Sequence, residues 1–218
     1  MKRLVIKLSV VAVFFAIIVA LVMYVGLNKV SYSCVSFRYQ NYIHEDVEIV
    51  GLSKIPISID QLINITRTLY DYTENTEEVN ETLKEILFQQ RIINSPGFYN
   101  EIYDETKANT QFYDLGTVNI SNRFETHLIL SVYTYSHAYW ESGDKTLYML
   151  NMNQNQLKSI VIVAQYLYDM FDSSLLLSIQ KIKSTKFVLK RERESIRKQK
   201  PNYCRFSLDS EGYVVVEN

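Results

Sequence analysis

The apolar segment near the N-terminus constrains this chain more than any other feature of its sequence. Residues 8–28 are 21 consecutive residues without a formal charge, and most of them are Val, Ile, Leu, Phe or Ala. In a helix that rises 1.5 Å per residue, roughly 20 apolar residues span the ~30 Å hydrocarbon core of a bilayer. The segment therefore predicts a single transmembrane helix, with the membrane contacted through residues 8–28.

The charges around this segment predict its orientation. Lys2, Arg3 and Lys7 precede it, whereas Lys29 is the only cation that follows it closely. Because cytoplasmic flanks carry an excess of Lys and Arg, we expect the N-terminus in the cytoplasm. The predicted organisation is a cytoplasmic stub and transmembrane anchor over residues 1–29, followed by an extracytoplasmic domain over residues 30–218.

Two alternatives to an uncleaved signal anchor stay open. A cleaved signal peptide also begins with cations, but its apolar region has about 7 to 15 residues and ends at an A-x-A-like site. The apolar run here is longer, and residues 21–26 contain no such site. Lipid attachment at Cys34 would need a pattern of leucine and small residues that residues 31–33 lack.

The remaining residues have the composition of one folded domain. The chain is 47% hydrophobic and 22% charged, with three prolines and no Gly/Ser-rich linker. About 190 residues can bury a core within one domain. The net charge of −1 argues against a generic nucleic-acid binder, which is normally strongly basic. We therefore expect one domain and no nucleic-acid partner.

Apolar periodicity predicts three helices. Ser58 and Gln61 form a capping-box pattern before a helix over 59 to about 73. Asn75 begins the same kind of pattern for a helix that ends near residue 93. Apolar side chains recur at helical spacing over residues 157–171, which predicts a third, buried helix.

Strand patterns occupy most of the other segments. β-branched and aromatic residues predict strands over 31–49, 174–182 and 186–191, and two hairpins. One hairpin comprises 126–140 and 145–151 with a turn at 141–144, and the other joins 203–208 to 213–216. The predicted fold class is α+β, a single globular domain with helices packed on a mostly antiparallel sheet.

Signatures of common enzyme chemistry are absent from the sequence. No two of the six glycines are closer than 19 residues, whereas phosphate-binding loops need clustered glycines. No C-x-x-C motif is present, and His44, His127 and His137 lack the four-residue spacing that places two imidazoles on one helix face. We therefore predict no catalytic residues, no cofactor and no metal, and the sequence leans against an enzyme.

The only two cysteines, Cys34 and Cys204, are candidates for a disulfide. In an oxidising compartment their pairing would close a loop of about 170 residues and contribute about 4 kcal/mol in the chain-entropy model. Two buried free thiols are the alternative, because sequence spacing does not show that the residues meet.

Charge is distributed unevenly along the chain. Residues 71–105 contain nine acids against two bases, and residues 181–205 contain ten bases against two acids. These blocks could face each other within the fold, join copies head to tail, or bind a charged partner. The predicted basic patch comprises Lys190, Arg191, Arg193, Arg197, Lys198 and Lys200.

Tyrosines supply a second candidate surface. The chain has 17 of them, and tyrosine rings favour recognition because they bury area at low entropic cost and keep a polar tip. On a strand, Tyr133, Tyr135, His137 and Tyr139 would share one face, which makes them the predicted interaction face.

These features favour an interaction or assembly subunit of a cell-envelope system, held by a single-pass anchor and bound to a protein partner or to further copies of itself. One alternative is a membrane-tethered hydrolase that uses dispersed Asp, Glu and His residues. The other is a ligand- or lipid-binding domain.

Overall fold

The protein is mostly β in the part of the chain that the structure describes. The computed structural model describes residues 37–71, 78–93, 109–137, 140–168, 173–192 and 202–217. Strands account for 58% of these residues and helices for 15%. The predicted α+β class is therefore wrong, because most of the core is supplied by strands and two short helices only cover them.

The described elements are ten strands, two α-helices and one 3-10 helix. In chain order they are β1 (Tyr39–Asn41), β2 (Pro56–Ile57), α1 (Ile59–Arg67), the 3-10 helix (Leu69–Asp71), α2 (Glu81–Ile93), β3 (Thr110–Val118), β4 (Glu125–His137), β5 (Trp140–Asn153), β6 (Gln156–Tyr168), β7 (Ser173–Lys183), β8 (Lys186–Arg191), β9 (Asn202–Leu208) and β10 (Val214–Glu217).

All ten strands belong to one sheet. Strands β3 to β10 follow one another as antiparallel neighbours, and β2 adds a short parallel strand beyond β3. β7 pairs with the end of β6 over residues 165–168, whereas β1 pairs with β6 over residues 159–161. The sheet therefore divides at β6, with β1 along one half of this strand and β7 along the other.

β6 is the largest departure from the sequence-based prediction, which placed a helix over 157–171. Gln154 and Asn155 have positive φ values of 51° and 64° and form the two-residue turn that joins β5 to β6. Residues 160–163 are Ile, Val, Ile and Val, and all four are buried. A strand buried on both faces has a continuous apolar run, and such a run also contains helical spacings.

The predicted start of the first helix is confirmed, and the predicted start of the second is wrong. α1 begins at Ile59 with the predicted capping box between Ser58 and Gln61, and it ends at Arg67 rather than near residue 73. α2 begins at Glu81, where the side-chain oxygen of Asn80 accepts the Leu83 N–H at 3.0 Å. The predicted start at Asn75 is therefore wrong, because the capping residue is Asn80, five residues later in the sequence.

The central strands are buried on both faces. Leu128 and Leu130 on β4 belong to one core cluster, which includes α1 and the inner residues of β7 to β10. Ile129, between them in sequence, belongs to a second cluster with Leu83 and Leu87 of α2. Because alternate residues of a strand point to opposite faces, β7–β10 and α2 cover opposite faces of β3–β6.

Side-chain hydrogen bonds hold the last hairpin to β1 and β6. The amide of Asn41 donates to the Val214 carbonyl at 3.0 Å and accepts the Val214 N–H at 2.9 Å. The Ser159 hydroxyl donates to the Gly212 carbonyl at 2.6 Å. The turn between β9 and β10 is therefore fixed against β6.

No helix in the described residues is both long and apolar enough to cross a membrane. The longer one, α2, has 13 residues, which at 1.5 Å per residue is about 20 Å against the ~30 Å that a bilayer core requires. This finding contradicts the predicted transmembrane signal anchor. It also contradicts the predicted single-pass membrane location, with a cytoplasmic N-terminus and an extracytoplasmic domain. Residues 8–28, the predicted anchor, lie outside the described residues.

The chain divides into two compact units, Met1–Ser31 and Tyr32–Asn218. The first unit lies outside the described residues, so the predicted domain boundary after residue 29 stays a prediction. All described elements belong to the second unit.

Candidate functional site

One outer face of the sheet is formed by β7 to β10. Phe187 and Leu189 on β8 are buried, as are Cys204, Phe206 and Leu208 on β9. The residues that alternate with them therefore point away from the core. The sequence of β8 and β9 thus presents one apolar face inward and one polar face outward.

The outward side chains of this face are predominantly basic. Cross-strand pairing puts Lys183 opposite Lys186, while Val188 lies between Lys181 and Arg205. Lys190 follows on β8, opposite Tyr203 of β9. We call these five cations the cationic face: Lys181, Lys183, Lys186, Lys190 and Arg205.

Few carboxylates neutralise the cationic face within the described residues. Lys186 contacts Glu217 at 3.3 Å, and Lys190 contacts Glu192. Lys181 and Lys183 are exposed, and Lys183 opposes another lysine directly across the strand pair. Like charges in directly opposed positions are destabilising, so this arrangement does not serve the stability of the sheet.

The predicted basic patch overlaps the cationic face only at Lys190. Arg191 occupies the next position on β8, so its side chain lies on the other side of the strand from Lys190. Arg193, Arg197, Lys198 and Lys200 lie outside the described residues, and for them the patch stays a prediction. Alternation along β7, β8 and β9 was the signal that could have identified the other four cations.

The predicted tyrosine face is described only at its first member. Tyr133 is half-buried, and its carbonyl accepts a hydrogen bond from the Tyr168 hydroxyl at 3.4 Å. The side chains of Tyr135 and His137, and all of Tyr139, lie outside the described residues. The role of these residues stays a prediction.

Sequence reasoning missed a different tyrosine group. The ring centroids of Tyr70 and Tyr166 are 5.9 Å apart, and those of Tyr166 and Tyr168 are 6.1 Å apart. Tyr168 reaches over Gly143, where a Cβ atom would come within 2.6 Å of its hydroxyl. Tyr166 and Tyr168 were missed because their segment was predicted to be helical.

A pocket of about 190 Å³ lies where β3 ends and β4 begins. Its wall includes the side chains of both a cation and a carboxylate, with hydroxyl and apolar groups between them. The residues that line it include Lys54, Thr117, Val118, Phe124, Glu125 and Thr126.

His127 lies beside this pocket and is 2% exposed. Its Nε2 is 3.3 Å from a carboxylate oxygen of Glu125, and its Nδ1 has no hydrogen-bond partner among the described residues. The tautomer protonated at Nε2 satisfies both observations, since Nε2–H donates to Glu125 and the unpaired Nδ1 carries no proton. Glu125 itself is 57% exposed, so the pair extends from the core to the pocket.

Other candidates for acid–base chemistry are not brought together. His44 is exposed, and buried Asp114 uses its two carboxylate oxygens to accept the backbone N–H groups of Ser53 and Gly116. Within the described part of the chain, no group of three or more His, Cys, Asp or Glu side chains is placed to hold a metal ion. Of the three histidines, His127 pairs with Glu125 and His44 is exposed, while the side chain of His137 lies outside the described residues.

Cys204 is buried on β9. Cys34 lies outside the described residues, so the pairing of Cys34 with Cys204 stays a prediction. A disulfide at Cys204 would attach a distant segment to the inner side of the strand that carries Arg205.

No protein-family model, no curated protein and no solved structure matches this chain. Its function therefore has to be inferred from the geometry of the cationic face and of the pocket.

Proposed function

We propose that this chain is an interaction domain, an assembly subunit that binds an acidic protein surface through the cationic face. The observation that carries this proposal is the position of five cations on one outward face of β7 to β9. Two carboxylates, Glu192 and Glu217, contact members of this face. Lys181 and Lys183 contact no carboxylate among the described residues, so their end of the face carries positive charge that an acidic partner would neutralise.

Local energetics support a binding role. Lys183 and Lys186 flank the two-residue turn at 184–185 and oppose each other across it. A cross-strand pair of like charges lowers sheet stability, and departures from local rules of this kind concentrate at functional sites. Because strand pairing fixes the spacing of the cations, little further ordering is needed when a partner binds.

The described residues of the acidic block on α2 and the cationic face lie on different sides of the central strands. Glu81 and Glu85 belong to α2, which covers the face of β3–β6 opposite to that covered by β7–β10. The fold therefore supports contact between molecules over pairing of these residues within one molecule. The partner is then a different acidic protein or the acidic side of a second copy.

A charge-reversal experiment tests the proposal. The variant Lys181→Glu/Lys183→Glu changes two exposed side chains of the cationic face, and Arg67→Glu/Arg123→Glu changes two exposed cations elsewhere by the same total charge. Retention on immobilised poly-L-glutamate is measured against salt concentration. We expect the wild type and the control to be retained at low salt and the face variant to elute at clearly lower salt.

Equal elution of the two double variants would contradict the proposal, because net charge rather than the face would then determine retention. Sedimentation of the wild type at low salt separates the two sources of acidic surface. Concentration-dependent self-association that the face variant loses identifies a second copy, and a monomer that is still retained identifies another protein.

A further inference from the structure

We infer that the pocket between Lys54 and Glu125 binds a small zwitterion of the free α-amino acid class. Both side chains line the pocket, yet no ion pair joins them in the described structure. Glu125 contacts His127, and Lys54 has no described ion pair. A ligand with a carboxylate and an ammonium group would satisfy both charges at once.

The rest of the wall fits such a ligand. Val118 and Phe124 supply apolar surface for an aliphatic or aromatic side chain. The Thr117 hydroxyl already donates to the Ile55 carbonyl at 3.4 Å and the Thr126 hydroxyl to the Asn151 side chain at 2.9 Å, so towards a ligand their oxygens can only accept. A cavity of about 190 Å³ is below the roughly 300–1,000 Å³ of sites for drug-sized molecules. The ligand must therefore be small.

The fold holds both charged positions in place. The segment that carries Lys54 is fixed on each side, because the Ser53 N–H donates to Asp114 and the Ile55 carbonyl accepts the Thr117 N–H at 2.8 Å. This arrangement brings Lys54 to the end of β3. A prepared site loses less conformational entropy when a ligand binds.

His127 is a positioning residue for Glu125. Its Nε2 is buried and lies 3.3 Å from a carboxylate oxygen of Glu125, whereas the Glu125 side chain is 57% exposed. On the same face, the register partner of His127 on β3 is Thr117, another residue of the wall. The buried imidazole therefore contacts Glu125 and lies next to Thr117 in the strand register, and both of these residues line the pocket.

The test uses the twenty free L-amino acids as probes. Thermal unfolding of the full chain is measured with each amino acid in excess, and calorimetric titration gives the affinity of any that raises the melting temperature. We expect at least one to bind, and its N-acetyl and carboxamide analogues to bind at least about tenfold more weakly, since each analogue lacks one charge.

Variants locate the site. Glu125→Gln and Lys54→Met should each weaken binding by about tenfold or more, whereas Arg67→Met and Glu211→Gln change exposed charges outside the pocket and should not. The inference is overturned if no amino acid raises the melting temperature, or if the pocket variants bind as well as the controls. None of these outcomes depends on the cationic face, so the two proposals succeed or fail separately.

Discussion

Gly116 shows why one position of the sheet accepts no side chain. Its φ is 120°, and a Cβ atom built there would lie 2.2 Å from the carbonyl oxygen of Ile55. This close approach lets the same carbonyl accept the Thr117 N–H at 2.8 Å, and β2 pairs beside β3. A single glycine therefore permits the parallel strand next to the pocket between Lys54 and Glu125.

Substitution of this glycine gives a sharp prediction. We expect Gly116→Ala to lower the free energy of unfolding by about 3 kcal/mol, because steric overlap with the backbone adds to the strain of a positive φ. Gly51→Ala is the control, since Gly51 also has a positive φ but has no atom within 4 Å of its would-be Cβ. Urea denaturation of both variants measures the difference, and equal losses would show that the contact with Ile55 is not formed.

At the scale of elements, one predicted cap and one predicted hairpin are confirmed, whereas the start of α2 and the turn at 141–144, which lies within β5, were predicted wrongly. The capping box of α1 and the hairpin of β9 and β10 follow from local polar residues, which specify structure over a few positions. β6 did not follow, because its burial on both faces depends on α2 and β7–β10, which are distant in sequence. The pocket was equally hidden, since the pairing of β2 with β3 brings Lys54 near Glu125.

Two glutamines at the β5–β6 turn distinguish the observed strand from the predicted helix. Gln154 has a φ of 51°, so Gln154→Gly should raise the free energy of unfolding by about 0.5–1 kcal/mol. Gln156 begins β6, so Gln156→Gly should lower it by about the same amount. Denaturant unfolding compares the two, and effects of the same sign would contradict a two-residue turn between strands.

At the scale of the whole molecule, we propose that the face of β7 to β9 binds an acidic protein. The acidic residues of α2 and the cationic face lie on opposite sides of the central strands, which suits contacts between molecules. The sequence predicted an excess of basic residues in this region but assigned the patch mainly to residues 193–200. Strand alternation, which depends on knowing the register of β7, β8 and β9, selects a different set.

The most direct measurement is carbodiimide cross-linking in intact cells, followed by mass spectrometry of the peptides joined to this chain. The reagent links a lysine amine to a carboxylate that is already in contact with it. We expect links to Asp or Glu residues of another molecule from Lys181, Lys183, Lys186 or Lys190. Links to other molecules only through lysines such as Lys54 and Lys158, with face lysines joined only to Glu192 or Glu217 of the same chain, would contradict the proposal.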